Sequence, residues 1–264
     1  MAGGGSGGIP VQRRARLVAV LRGKGVASIS ELALETGASE STVRRDLEEL
    51  AGRSEVRRTR GGAVFTGGTI GGTTFEPLFA ERSRQNISEK ERIGRYAIGL
   101  AEGGQGVLFD SSSTVMGAVR ALVESPVRMT AVTNDVSLAA SLGSVRGVKV
   151  VVPGGELREG SFTLLGPATR GFLSRLHVDV AFIGIHAITG DRMSEAGLEV
   201  AEVKRAMIRA AGRVVLLADH SKFSPPAFFE VAGLEEVDDL VTGDETPQEA
   251  VEAAREVPVR VHLV

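Results

Sequence analysis

Two groups of side chains in this 264-residue chain have the types and spacing to do chemistry. Near the N-terminus, Ser41, Thr42, Arg44 and Arg45 stand close together, and Arg57, Arg58 and Arg60 follow. Arginine bridges the O6 and N7 acceptors of guanine or clamps phosphate, and hydroxyls bond phosphate oxygens, so the chemistry on offer is recognition of duplex DNA. Further on, Asp110-Ser111-Ser112-Ser113-Thr114 follows an apolar run and opens a helical pattern. Its backbone amides and hydroxyls can converge on an anion at a helix N-terminus, and phosphate is the natural occupant. A serine-rich loop by itself is more often an ordinary turn and helix cap than a phosphate cradle. Four more polar or glycine loops after apolar runs favour a pocket: Thr133-Asn134, Pro153-Gly154-Gly155, Gly184-Ile185-His186 and Asp219-His220-Ser221-Lys222. His186 reads either as a specificity residue or as a histidine packed at a strand end.

Other chemistries find little support. The chain has no cysteine, and its four histidines show no paired zinc-ligand spacing, so neither disulfides nor a metal centre is expected, and no cofactor. With 42% hydrophobic and 24% charged residues the composition is that of a soluble globular protein, and no apolar run reaches the roughly 18 residues of a membrane span. Met1 to Gly8 lacks the basic and apolar regions of a secretory signal and is expected to be a disordered tail, with the protein cytoplasmic. The net charge of −2 conceals an asymmetry: residues 1–65 carry +4 and residues 66–264 carry −6. A local basic excess suits a phosphate backbone, although a solvated basic surface has the same composition.

The elements that must position these residues are legible in outline. Leu17, Val18 and Leu21 recur at helical spacing in a first helix from Val11 to Arg22. Ser30 is read as the N-cap of a second helix, with Ile29 and Leu34 as its hydrophobic staple. Thr36-Gly37-Ala38 turns the chain and Ser39 caps a third helix running to Leu50 or Ala51. At 100° per residue Val43, Leu47 and Leu50 share one stripe, leaving Ser41 and Arg45 on the far side, flanked by Thr42 and Arg44. The stretch RSEVRRTRGGAV reads as a basic hairpin with a glycine tip, the wing of a winged helix-turn-helix. The domain boundaries follow: DNA-binding domain 9–65, a Gly/Thr-rich linker 66–75 and an α/β domain 76–264.

In the second domain Ser88-Glu89-Lys90-Glu91 is read as a capping box opening a helix through Ala101. Strands are expected at Val107–Phe109, Met129–Val132, Val148–Val152, Val178–Ile185, Val214–Leu217, Asp239–Val241 and Val259–Val261. Helical patterns at Thr114–Val123, Asp135–Leu142, Thr169–Leu176, Glu199–Ala211 and Pro247–Arg255 alternate with them. Continuous apolar strands between helices imply an α/β fold with a mostly parallel sheet covered by helices, and ligands bind such sheets beyond the carboxyl ends of the strands.

The run SISELALETGASESTVRRDLEELAGRSEVRRTRGGAV resembles the DNA-binding signature of DeoR-type regulators, with Thr42, Arg44, Arg45, Asp46, Leu47 and Leu50 in the recognition helix and Gly61, Gly62 and Ala63 ending the wing. The stretches EKERIGRYAIGL, VTNDV, VPGGELRE, DVAFIGI, AEVKRAMIRAA and LLADHSKF are similar, in order and spacing, to the sensor domain of the same family. That resemblance implies a fold like ribose-5-phosphate isomerase and the CoA transferases, binding a phosphorylated sugar or related metabolite. It implies phosphate contacts at Ser111 to Thr114, polyol contacts from Asp110, Thr133, Asn134, Asp219 and Lys222, and a contribution from Lys204 or Glu202. Ser112-Ser113-Thr114 departs from the family's usual Gly-Thr-Thr. Asp46 is expected to fix an arginine or the helix start rather than touch DNA.

The expectation is therefore a repressor, not an enzyme, of a carbohydrate-utilisation operon. Its partners are operator DNA, a phosphorylated effector and further copies of itself in a dimer or tetramer, with no membrane. The rival readings are an activator, and a sugar-phosphate isomerase using Glu199 or Glu202 as base and Lys222 to stabilise an enediolate. The fused N-terminal module argues against the isomerase.

Overall fold

The structure, a computed structural model, describes residues 10–24, 26–52, 56–59, 61–65, 82–158 and 161–264. The expected tail 1–8, the linker 66–75, Arg60 and the side chain of Arg57 lie outside the described residues. Two units are distinguished, residues 1–75 and 76–264.

The first unit contains α1 (Pro10–Lys24), β1 (Val26–Ser28), α2 (Ile29–Thr36), α3 (Glu40–Gly52), β2 (Val56–Thr59) and β3 (Gly62–Phe65). Its core is the cluster that the helical stripes foretell, Leu17 and Leu21 from α1, Leu32 from α2, and Val43, Leu47 and Leu50 from α3, closed by Ala27, Val56 and Ala63. The wing is a three-stranded antiparallel sheet in the order β1-β3-β2, not a lone hairpin. Its two glycines have separate causes. Gly61 turns the chain at φ +107°, while a Cβ on Gly62 would meet the Ala27 carbonyl of β1. The cap of α2 is Ser28, two residues before the expected Ser30. At ψ 159° the Ser28 hydroxyl faces the Glu31 amide, and the Glu31 carboxylate returns to the Ser28 N–H at 2.8 Å. Because α2 begins at Ile29, Leu34 is turned outward and is 86% exposed, so the expected staple does not form. Gly37 at φ +65° ends α2 as read, and the Thr42 N–H donates to Ser39 Oγ.

The second unit is built on a seven-stranded sheet. Its strands are β4 (Gly106–Phe109), β5 (Met129–Thr133), β6 (Val148–Val151), β9 (Val178–Ile183), β12 (Ala211–Ala218), β14 (Asp239–Thr242) and β15 (Arg260–Leu263). They run parallel throughout, in the order β15-β14-β12-β9-β4-β5-β6. The helices are α4 (Ile87–Ile98), α5 (Val115–Glu124), α6 (Val136–Gly143), α7 (Pro167–Leu173), α8 (Leu198–Ala210) and α9 (Gln248–Arg255). Successive residues of a strand enter different cores. Val107, Phe109, Phe182, Val215 and Leu217 pack with α4, α5 and α6, and Leu108, Ala181, Ile183, Val214 and Leu216 pack with α7 and α8. Burial on both faces explains the unbroken apolar runs. No helix among the described residues is long and apolar enough to cross a membrane.

Short pieces escape the sequence pattern: the hairpin β7 (Glu156–Leu157) and β8 (Leu164–Leu165), and the antiparallel sheet of β10 (Ala187–Thr189), β11 (Arg192–Glu195) and β13 (Phe229–Gly233). The expected capping box at Ser88 is also replaced. The N-cap of α4 is Asn86, in the left-handed region at φ +53°, and Glu91 faces Arg120 instead.

Candidate nucleic-acid interface and anion pocket

Burial of the Val43, Leu47 and Leu50 stripe leaves Ser41, Arg44 and Arg45 of α3 exposed and Thr42 half-buried, the arrangement expected of a reading face. Asp46 is buried between this helix and α1, where Arg13 Nε donates to it at 2.5 Å and Arg14 stands at 3.8 Å. It fixes an arginine, as expected, and so pins α3 against α1. Glu40 pairs with Arg44 at 3.1 Å, and Glu48 with Arg58 of the wing at 2.6 Å. These exposed pairs hold the guanidinium groups loosely, since such pairs contribute at most about 1 kcal/mol.

In the second unit the sheet order reverses direction between β4 and β9. Chain connections leave to opposite sides there, and their diverging loops open a crevice. The loops after these two strands are Asp110–Thr114 and Gly184–His186. They are joined by Asp110, which follows β4, is buried, and accepts the Gly184 N–H at 3.0 Å and Lys204 Nζ at 2.7 Å through one carboxylate oxygen. Lys204 of α8 also donates to the Gly184 carbonyl at 2.5 Å and lies 3.1 Å from Glu195 of β11. An ammonium has three donors, and these oxygens match them. Burial opposes the charge on Lys204, but the carboxylates of Asp110 and Glu195 outweigh it and hold its pKa above the ordinary lysine value. Lys204 is thus the clamp of the crevice, with little donor capacity left for a ligand.

The pocket in this crevice is lined by Ser111, Ser112 and Ser113 on one side and by Arg82, Arg158, Lys204 and Lys222 around it, with Thr163, Glu195, Ile185 and Val200 completing the wall. Ser113 and Thr114 lead into the N-terminus of α5, which adds a favourable dipole for an anion. Ser112, where the resemblance implies a glycine, has two structural consequences. Its hydroxyl accepts the Thr114 N–H at 3.1 Å, occupying one loop amide, and its side chain lies where a Cβ on Gly184 would stand. Burial lowers the pKa of Lys222; Asp219 counters this in part, and Arg82 adds to it.

Several residues expected at the pocket are not brought into its lining. The Thr133 hydroxyl accepts the Asp135 N–H within its own loop, and Asn134 donates to the Leu164 carbonyl of β8, bracing the β7–β8 hairpin. Gly154 and Gly155 pack on α7, where Thr169 Oγ1 bonds the Gly154 carbonyl and leaves no room for a Cβ on Gly155. Thr114 is buried beneath the serines, His186 is half-buried beyond Ile185, and Asp219 sits behind Lys222. Sequence reasoning missed Arg82, Arg158, Thr163 and Glu195. Arg158 lies inside the VPGGELRE stretch, where a charged residue soon after a strand-end glycine loop was the available signal. Arg82 and Glu195 had none, because what brings them in is packing between distant segments.

Glu89, Asp219 and His220 offer ligand atoms within 4.8 Å of one another. The His220 N–H and ring Nδ1 each approach a Glu89 oxygen at 2.7 Å, and Lys90 stands 3.7 Å from Asp219, so internal partners already balance these charges. His220 ties the loop after β12 to α4. The isomerase bases fare worse. Glu199 is exposed and Glu202 pairs with Arg170 at 2.6 Å, and neither lines the pocket.

A winged helix with an exposed arginine face, in one chain with an α/β domain bearing a cationic pocket at its switch point, defines a DNA-binding regulator with reader and sensor on one polypeptide. Residues 13–68 match the family model described as the DeoR-like helix-turn-helix domain, and residues 85–244 match the DeoR C terminal sensor domain. The chain belongs to the DeoR family of transcriptional regulators; it is a DNA-binding regulator and not an enzyme. It is 36% identical over 214 residues to the HTH-type transcriptional repressor GlcR of Bacillus subtilis, covering 80% of each chain. It is 28% identical to the glycerol-3-phosphate regulon repressor of Escherichia coli, covering 96% of this chain and 98% of that one. Among solved structures, ribose 5-phosphate isomerase A from Methanocaldococcus jannaschii overlaps 53% of this chain and 56% of its own, at 16% identity and a TM-score of 0.40.

Proposed function

We propose that this regulator represses a carbohydrate-utilisation operon and leaves its operator when a phosphorylated sugar or related metabolite binds the second unit. The observation that carries the reading is the convergence of Arg82, Arg158 and Lys222 on the Ser111–Ser113 loop at a helix N-terminus, a donor set suited to a phosphate dianion. The regulon in the name of the Escherichia coli relative is one of a phosphorylated polyol, which supports the same ligand class. Ser41, Thr42, Arg44 and Arg45 read the major groove, and the wing arginines Arg57, Arg58 and Arg60 grip phosphate. The three serines take the effector phosphate with Arg82, Arg158 and Lys222. Asp110, Lys204, Thr133, Asn134, Gly154 and Gly155 hold the loops that surround it, and Thr114, Asp219 and His186 support the walls. Copies of the chain pair on palindromic or repeated half-sites.

The test is a gel-shift titration of DNA from upstream of the chain's own operon against a panel of sugar phosphates. A salt-sensitive complex that one phosphorylated compound dissolves, and its unphosphorylated parent does not, is the expected result. A complex indifferent to every member of the panel would remove the effector reading; no sequence-preferring complex would remove the repressor reading.

A further inference from the structure

We infer that Lys90 and Asn86 are positioning residues that connect the anion pocket to the chain segment through which the DNA-binding unit is attached. The inference rests on the pocket's reading as an anion site. Arg82 is where the two meet. Its side chain lines the pocket, while its carbonyl accepts Lys90 Nζ at 2.7 Å and the Gln85 N–H at 3.3 Å. Residues 66–81, which precede it, carry the covalent connection to the first unit.

Behind Arg82 lies a carboxylate with more than one claimant. Asp219 is fully buried. Its Oδ1 accepts Asn86 Nδ2 at 2.7 Å, a bond that helps hold Asn86 at φ +53°, where residues other than glycine are uncommon. Among the described residues its Oδ2 has no partner at hydrogen-bond distance, and it stands 3.7 Å from Lys90, whose side chain is 6% exposed. Lys222, on the pocket wall, acts on the same carboxylate electrostatically. An anion held by Lys222 and Arg82 satisfies Lys222 from the pocket side and leaves Asp219 to Lys90. Lys90 is then drawn toward Asp219 Oδ2 and away from the Arg82 carbonyl, at the moment when the Arg82 side chain is engaged by the anion. The same few groups thus have two arrangements, and occupancy of the pocket biases one of them, which is the physical content that coupling between sites requires.

Hydrogen exchange on the full chain, with and without inorganic phosphate, tests this alongside calorimetric titration of the same phosphate. In the wild-type protein phosphate binds and changes the exchange rates of amides in residues 83–90 by about 5- to 150-fold, the usual size of coupling between sites. Lys90→Gln and Asn86→Gly bind phosphate within a few-fold of wild type and lose that response. The glycine variant keeps the left-handed backbone accessible, so it reports on the side-chain amide even if Lys90→Gln folds poorly. Wild-type protein that takes up no phosphate overturns the pocket reading itself. Phosphate binding with no change at residues 83–90, variants that respond as wild type does, or variants that lose phosphate binding outright would each overturn the positioning role while leaving the pocket standing.

Discussion

Lys222 and Lys204 are both buried lysines beside the same crevice, yet their partners give them different chemistry. Lys204 faces two carboxylates and a carbonyl, which hold it charged. Lys222 is desolvated near Arg82 and Lys204, and its charged form is disfavoured despite Asp219. A bound phosphate reverses that penalty, raising the pKa of Lys222 in the complex. Affinity for a phosphorylated ligand then falls as pH rises through the pKa of Lys222 in the free protein, with proton uptake on binding between that pKa and the higher one of the complex. Calorimetry in two buffers of different ionisation enthalpy measures the uptake, and a flat affinity profile with no uptake would sink the assignment. Lys222→Ala should leave DNA binding intact and remove release by ligand. Of these two lysines only Lys222 was legible from loop position; Lys204 sits mid-helix, on the face of α8 that buries Val200, Ala201, Val203 and Met207.

At the scale of elements, α3 and the wing carry separable tasks. Arg45 is exposed on the face of α3 opposite its buried stripe, so Arg45→Ala should weaken operator binding by about 1–3 kcal/mol and relax base preference. Arg58→Ala should weaken binding uniformly across sequences and lower the salt slope by about one. Anisotropy titrations at several salt concentrations on matched and mismatched duplexes separate the two; a normal titration for Arg45→Ala would mean that α3 enters the groove by another face. The α4–α5 pair makes a different demand. Gly94 and Gly117 bring the helices so close that a Cβ on Gly94 would overlap the Gly117 backbone. Gly94→Ala is expected to cost about 1–3 kcal/mol or more through forced separation, read as a lower denaturation midpoint. Unchanged stability would show that the crossing can open. Main helices and parallel strands were readable because their apolar spacing is local. Strands such as β7, β8, β10, β11 and β13 were not, since pieces of two to five residues are specified by partners distant in sequence.

At the scale of the whole molecule, Asp239 secures the C-terminal edge of the large sheet. It is buried at the start of β14 and bonded by Arg213 of β12 and by Arg260 and His262 of β15. Burial opposes its charge, but these donors overcome the penalty and hold its pKa far below the carboxylate range. The stability it contributes is present above its unfolded value and is lost as pH falls through the depressed folded one. Asp239→Asn should melt earlier than wild type at neutral pH, with the gap in Tm closing below about pH 4. A gap constant down to strong acid would deny that the ionised carboxylate matters. By itself the sequence determined what depends on local spacing and composition: the basic first unit, the buried stripe and exposed arginines of α3, the alternating strands and helices, and the strand-end loops where a ligand could sit. Only the tertiary structure decided which of those loops share one pocket. It turned Lys204 into a clamp, withdrew Thr133, Asn134, Gly154 and Gly155 into bracing, and brought in Arg82, Arg158 and Glu195. The physical reason is that a pocket is made by side chains far apart in sequence, and their convergence is set by strand order and the packing of the covering helices, which no local pattern encodes.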